Sequence, residues 1–251
     1  MRGSKWLHVT GGSGYLGSEL RRQAPEATAE RVEIRDAKAV RALLVRLRPE
    51  VVIHTAYRQD GPDAWAITAA GAENVAVAAA EVGARLVHVS TDVVFDGRKG
   101  ASYIEDDPPC PVTDYGRAKA EAEQRVVAAC PEALVVRTSL IVGGPGFPPS
   151  KHELAATDPE MTFYSDEIRS PIQVGDLAAA LLELATVDVS GLLHVAGSDD
   201  VSRAELAMLV TRRPVSATAA PADRPLDCSL DSSRARRLLR TELRGVRTVL
   251  A

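Results

Sequence analysis

Lys5-Trp6-Leu7-His8-Val9-Thr10-Gly11-Gly12-Ser13-Gly14-Tyr15-Leu16-Gly17 is the stretch whose reading decides the fold. A short apolar strand, Lys5 to Thr10, runs into a glycine turn, and a helix then extends from Tyr15 to Gln23. Strand, glycine turn and helix in that order are what a dinucleotide pyrophosphate site requires. Gly11 permits the tight turn, Gly14 lets the backbone approach phosphates, and Gly17 lets helix and strand pack closely. The helix N-terminus adds free N–H groups and a positive dipole end. The alternative is a glycine-rich loop with no ligand. Its place immediately after the first strand favours nucleotide binding.

Outward from that stretch, strand and helix alternate. Arg31 to Asp36 reads as a short strand closed by an acid, with Ala27 to Glu30 a second candidate for that strand. A helix over Ala37–Leu47, ended by Pro49, leads to a buried strand over Val51–Ala56. An alanine-rich helix from about Pro62 to Val82 leads through Gly83 to a strand from Arg85 to Ser90. Leu134 to Leu140 is a further buried strand, after which Gly143 to Pro149 breaks regular structure. Gly175 to Val187 predicts a helix capped by Asp176, Leu192 to Val195 a returning strand, and Ser202–Thr211 and Ser232–Leu239 two more helices. The expected class is α/β: a Rossmann-like doubly wound parallel sheet with a small C-terminal substrate-facing portion. The expected division is a dinucleotide-binding domain over 1–144, with a return strand near 191–197, and an interleaved smaller portion over 145–251.

Composition narrows the partners. With 251 residues, 45% hydrophobic and 25% charged, the chain suits one large soluble domain or a domain with a small appendage. A net charge of −4 and a pI near 5.8 give no reason to expect nucleic acid or an anionic membrane. The Arg-rich run from Arg234 to Arg247 alternates with Leu and Val, as a solvated helix face does. Cys110, Cys130 and Cys228 lack metal-ligand spacing and read as free thiols of a reducing cytoplasm. No apolar leader and no run of 18 apolar residues is present, so a cytoplasmic protein, monomer or homodimer, is expected. The five histidines are scattered, three inside apolar strands, and read as core residues; no metal site is expected.

The chemistry lies between Leu86 and Glu123. The Arg85 strand ends in Ser90-Thr91-Asp92, and a helix after a long loop carries Tyr115 and Lys119, about one turn apart. A neighbouring lysine charge favours the phenolate and lowers a tyrosine pKa from about 10. That pairing suits proton transfer to or from a carbinol oxygen near neutral pH. Thr91, at a strand's carboxyl end, would offer a hydroxyl to the same oxygen. Tyr-x-x-x-Lys alone is common by chance, and its weight comes from the chain before it.

Several motifs together carry a resemblance. They are Thr10 to Gly17, Arg48 to Tyr57, Ser90-Thr91-Asp92-Val93-Val94-Phe95-Asp96-Gly97, Glu105 to Pro109, Tyr115-Gly116-Arg117-Ala118-Lys119, Arg137-Thr138-Ser139 and Asp166 to Pro171. Over nearly its whole length the chain resembles the extended short-chain dehydrogenase/reductase family, in its dTDP-4-dehydrorhamnose reductase branch. The resemblance implies NAD or NADP and hydride transfer to a keto group of a small molecule, plausibly a nucleotide-linked 4-keto-6-deoxysugar. Arg21, Arg22 and Arg31 either favour a 2′-phosphate, which makes NADPH the slightly preferred form, or are simply solvated. It implies that Tyr115 donates the proton, Lys119 binds the nicotinamide ribose, and Thr91 bonds the substrate oxygen. Gly11, Ser13, Gly14, Tyr15, Leu16 and Gly17 would hold the pyrophosphate, Asp36 would read adenine, and Ala56, Tyr57 and Ser90 would line the cofactor. Asp92, Val93, Leu140 and Arg169 are the expected substrate contacts.

The chain departs from that pattern at four places. Val93 and Leu140 stand where the branch tends to have aromatic rings, the segment between Gly17 and Asp36 is short, and Thr68 replaces a usual Asn. The chain is also shorter than typical relatives. Two further readings therefore accompany the first: a reductase of a non-sugar ketone or imine in secondary metabolism, and a non-catalytic NAD(P)-binding protein like the regulatory subunit of methionine adenosyltransferase.

Overall fold

A computed structural model describes residues 6–251. In chain order the elements are β1 (Leu7–Thr10), α1 (Tyr15–Gln23), α2 (Ala37–Leu47), β2 (Val51–His54), α3 (Gly71–Val82), β3 (Arg85–Thr91), α4 (Asp114–Ala129), β4 (Leu134–Thr138) and β5 (Ile141–Val142). There follow α5 (Lys151–Ala156), β6 (Thr162–Tyr164), β7 (Ile168–Arg169), β8 (Ile172–Gln173), α6 (Val174–Leu184) and β9 (Gly191–His194). The chain closes with β10 (Val201–Ser202), α7 (Arg203–Thr211), β11 (Ser216–Thr218), α8 (Ser233–Leu238) and α9 (Val246–Val249). Lys5, expected to open β1, lies outside the described residues. Among those residues no helix is long and apolar enough to cross a membrane.

The described chain forms two compact units. The first takes 6–90, 117–136 and 178–193. Its frame is a five-stranded parallel sheet in the order β1-β2-β3-β4-β9, with Val9 opposite Ile53 and Ile53 opposite Val87. Continuous apolar runs such as Val51-Val52-Ile53 form these strands because both sheet faces are covered. Val40 and Leu44 of α2, Val75 of α3 and Val126 of α4 bury against Val52, Leu86 and Val135 of the sheet. Ala72, Ala76 and Ala79 have no bulk to hold α3 away from its neighbours.

Two expectations for this unit are corrected. Arg31 to Asp36 forms no strand. Only Ile34 is buried there, while Arg35 pairs with Glu33 at 2.9 Å and Asp63 at 3.0 Å, so the segment favours a solvated turn. The Ala27 to Glu30 candidate contracts to one residue: Val9 donates to the Thr28 carbonyl at 2.8 Å, and Thr28 donates to that of Leu7 at 2.9 Å. The helix expected from Pro62 is present but contains a single π-helical turn, Ala66–Ala70, before α3. Thr68 sits in that turn, its hydroxyl accepting from Arg58 N at 3.0 Å and donating to Arg58 O at 2.9 Å.

The second unit takes 91–116, 137–177 and 194–251. It contains three two-stranded sheets, β10-β7, β11-β6 and β5-β8, none of which the sequence patterning signals. Val142, Leu206, Val246 and Leu250 form one apolar cluster, and Phe163 with Ala156, Ala204 and Ala207 another. The break at Gly143 to Pro149 is held by Glu153, whose carboxylate accepts from Gly143 N at 2.7 Å, Gly144 N at 2.9 Å and Ser150 N at 2.8 Å. Asp176 does not cap α6, which begins at Val174; it lies in the first turn and receives Arg244 at 2.7 and 2.9 Å.

Candidate active site

In the first unit, β1 delivers the chain to Gly11, which adopts a φ of +72°. A Cβ there would sit 2.8 Å from Ala56 N, so only glycine lets the loop lie against the chain beyond β2. At Gly17, within α1, a Cβ would strike the Gly11 carbonyl. The two glycines thus hold turn and helix together. Gly14 is the N-cap of α1 in extended backbone, no side chain among the described residues caps that end, and its first turn carries no acid. Ser13 and Gly14 are exposed, Tyr15 is half-buried, and Leu16 is in the core. An uncapped, acid-free helix end beside a cradle that tolerates no side chain fits a pyrophosphate.

Beyond the loop, Ala56 is half-buried and Tyr57 exposed. Asp36 is exposed, and one of its carboxylate oxygens accepts from Lys38 N and Ala39 N, both at 3.0 Å. It is the N-cap of α2. Ser90 is buried and donates to Glu123 Oε1 at 2.5 Å.

Lys119 is buried in the same unit, with 3% of its surface exposed. Its ammonium donates to the Val89 carbonyl at 2.6 Å and lies 3.4 Å from His88 Nε2. Burial holds it below the usual lysine range, at about 8, while the Glu123 carboxylate acts in the opposite direction. Tyr115 precedes it by one turn of α4 and is half-buried.

In the second unit, β3 ends at Thr91 and the chain turns through a 3₁₀ segment, Asp92–Val94. Thr91 Oγ1 donates to Asp92 Oδ1 at 3.1 Å and accepts from Val93 N at 3.4 Å. Asp92 is buried, and its second oxygen accepts from Ser139 at 2.5 Å. Burial raises its carboxyl above the usual range, against the opposing pull of Arg169 and the hydrogen bonds of Ser139, Thr91 and Val93 N–H. Arg169 is buried too, with Nε 3.7 Å from Asp92. Its guanidinium donates to the carbonyls of Ile168 at 2.7 Å, Leu226 at 2.5 Å and Pro225 at 3.0 Å. The guanidinium is thus shared between Asp92 and three backbone carbonyls. Val93 and Leu140 are half-buried, Leu140 against the cluster around Val142.

Sequence reasoning passed over Ser139, Glu123 and His88. Ser139 had a signal, since it closes Arg137-Thr138-Ser139. Glu123 lies one turn beyond Lys119 on α4, a spacing that places it near the ammonium.

The family described as RmlD substrate binding domain matches residues 5–251. A dTDP-4-dehydrorhamnose reductase of Mycobacterium tuberculosis is 40% identical over 221 residues, covering 80% of this chain and 72% of its own. A probable dTDP-4,6-dihydroxy-2-methyloxan-3-one 4-ketoreductase of Streptomyces antibioticus is 33% identical over 226 residues, covering 83% and 76%. Among solved structures, a dTDP-4-dehydrorhamnose reductase of Bacillus anthracis in complex with NADP gives a TM-score of 0.85 at 26% identity, covering 97% of this chain and 96% of that one. A family match across the described chain, with relatives 37–40% identical that it covers to 72% of their own length, places this protein in the dTDP-4-dehydrorhamnose reductase family.

Proposed function

We propose that the protein is an NAD(P)H-dependent reductase of the keto group of a nucleotide-linked 4-keto-6-deoxysugar, with Tyr115 supplying the proton. The observation that carries the acid assignment is a buried ammonium, Lys119, one helical turn from Tyr115. The named reductases among its relatives favour this reading over a regulatory protein or a reductase of non-sugar ketones.

A bound nicotinamide supplies the hydride. The loop from Gly11 to Gly17 holds the pyrophosphate, with Ala56 and Tyr57 alongside. Lys119 serves the ribose and favours the Tyr115 phenolate, so that Tyr115 releases its proton to the developing alkoxide near neutral pH. Thr91 bonds the same oxygen. Because Thr91 donates to Asp92, its hydroxyl hydrogen must rotate to meet a substrate, while Val93 N–H keeps its oxygen in place. Val93 and Leu140 give the sugar aliphatic surfaces. A preference for NADPH rests on Arg31 and on Arg21, whose guanidinium donates to the Gly12 carbonyl at 3.4 Å, since Arg22 is held by Glu19 at 2.7 Å.

The test is titration with NADPH and NADH by nicotinamide fluorescence, followed by turnover of a dTDP-4-keto-6-deoxysugar. Tyr115→Phe is expected to bind cofactor as the parent does and to lose roughly 10²–10⁴-fold in kcat. Retention of most turnover with unchanged binding would overturn the role given to Tyr115.

A further inference from the structure

Three histidines occupy neighbouring strands of the parallel sheet: His8 on β1, His54 on β2 and His88 on β3, with His54 in register with both Thr10 and His88. All three are buried. His8 Nδ1 lies 2.9 Å from Thr28 Oγ1, and His54 Nδ1 lies 2.5 Å from Thr10 Oγ1. Among the described residues, His8 Nε2, His54 Nε2 and His88 Nδ1 have no hydrogen-bond partner. A buried imidazole with an unsatisfied nitrogen is costlier than leucine at the same place, so each ring invites a reason. Among the described residues, the only hydrogen bond of His88 is to Lys119.

An ammonium carries three hydrogens and no acceptor, so His88 can meet it only through a bare Nε2 with its own hydrogen on Nδ1. Lys119 therefore has two fixed acceptors, the Val89 carbonyl at 2.6 Å and His88 Nε2 at 3.4 Å, and one remaining hydrogen. His54 stacks on His88 with ring centroids 5.1 Å apart and an interplanar angle of 30°, which sets the plane of the His88 ring. Burial and the Lys119 charge keep both rings neutral, His54 near 3 and His88 well below its ordinary value. His88 thus stays an acceptor throughout the neutral range.

We propose that His88 is a positioning residue for Lys119: its bare Nε2, backed by His54 and assisted by the Val89 carbonyl, aims the ammonium so that its third hydrogen is free for the reacting end. The catalytic consequence rests on the reductase reading, while the tautomer and the contact do not. The titratable groups around Lys119 are Tyr115 and Glu123, each about one turn away on α4, His88 on β3 and His54 on β2. A neutral acceptor favours the charged form, so losing it moves Lys119 further down from about 8 and the alkaline limb of the kcat profile to lower pH.

Two variants isolate the atom. Glutamine places a carbonyl where Nε2 lies, whereas asparagine places it where Nδ1 lies, out of reach of Lys119. His88→Gln is expected to exceed His88→Asn about tenfold in kcat and to keep the alkaline limb, which moves by roughly half a pH unit or more in His88→Asn. Long-range ¹H–¹⁵N spectra of the histidine-labelled protein without cofactor provide the second readout. They should show His88 with Nδ1–H and a bare Nε2 whose resonance moves in Lys119→Met. A hydrogen on Nε2 in the parent protein, or equal kcat and equal limbs in the two variants, overturns the proposal. If the parent protein reduces no nucleotide-linked ketosugar, the reductase reading falls, and the tautomer alone judges the contact.

Discussion

Asp92 is a carboxylate taken out of water and surrounded by donors: the Thr91 and Ser139 hydroxyls, Val93 N–H and, at 3.7 Å, the Arg169 guanidinium. Removing one partner of such a group costs more than the pair contributes, because the remaining charge stays buried. Asp92→Ala is expected to lower the unfolding free energy by about 3 kcal/mol in urea titrations. The pH dependence separates charge from shape. The folded carboxyl binds its proton more tightly than the unfolded one, so its contribution falls as pH rises from the unfolded value of about 4 through the raised folded one. Asp92→Asn cannot titrate, and the parent should lose stability relative to it across that window. An unchanged difference between pH 4 and 7 would count against a buried, ionising Asp92. At this scale Thr91, Tyr115 and Lys119 stand out as candidates by residue type and spacing. The commitment of Arg169 to three carbonyls could not, because its partners Pro225 and Leu226 are over 50 positions away in sequence.

The strands of the parallel sheet carry a pH dependence of their own. His8 and His54 are held at about 4 and about 3, mainly by burial, against about 6.5 in the unfolded chain. The unfolded chain therefore binds more protons below pH 6.5, and stability falls as pH drops from there toward 4. Each ring contributes up to about 1.4 kcal/mol for every pH unit in that window. Denaturant series at pH 7, 6 and 5 should show the fall, and His54→Phe should be less steep by one proton. Equal slopes would mean that His54 is charged inside the sheet. Elements built on strong local signals were legible: α1, α2, β2, β3, α4 and the break after β5 follow apolar runs, glycines and prolines. The paired strands of the second unit were not, because β7, β8 and β10 are two residues each, too short to show a period. The Arg31 strand failed for a local reason too: alternating charges satisfied one another in a turn.

For the molecule as a whole, a cofactor that binds only the folded chain stabilises it by mass action. At a free concentration one hundred times its Kd, NADPH adds about 2.7 kcal/mol. For a protein of this size that corresponds to a rise in Tm of roughly 5–10 °C. Scanning calorimetry with NADPH, NADH and no nucleotide reads this directly, and a Tm unmoved by either nucleotide at millimolar concentration would count against the glycine-loop assignment. The margin of the sheet holds one more consequence. Thr28 occupies the Leu7 carbonyl and the Val9 N–H, groups through which β1 would otherwise recruit a strand from another molecule. One residue thereby blunts the β1 edge of the sheet against edge-to-edge growth into filaments, with no proline, bulge or lysine on β1 itself.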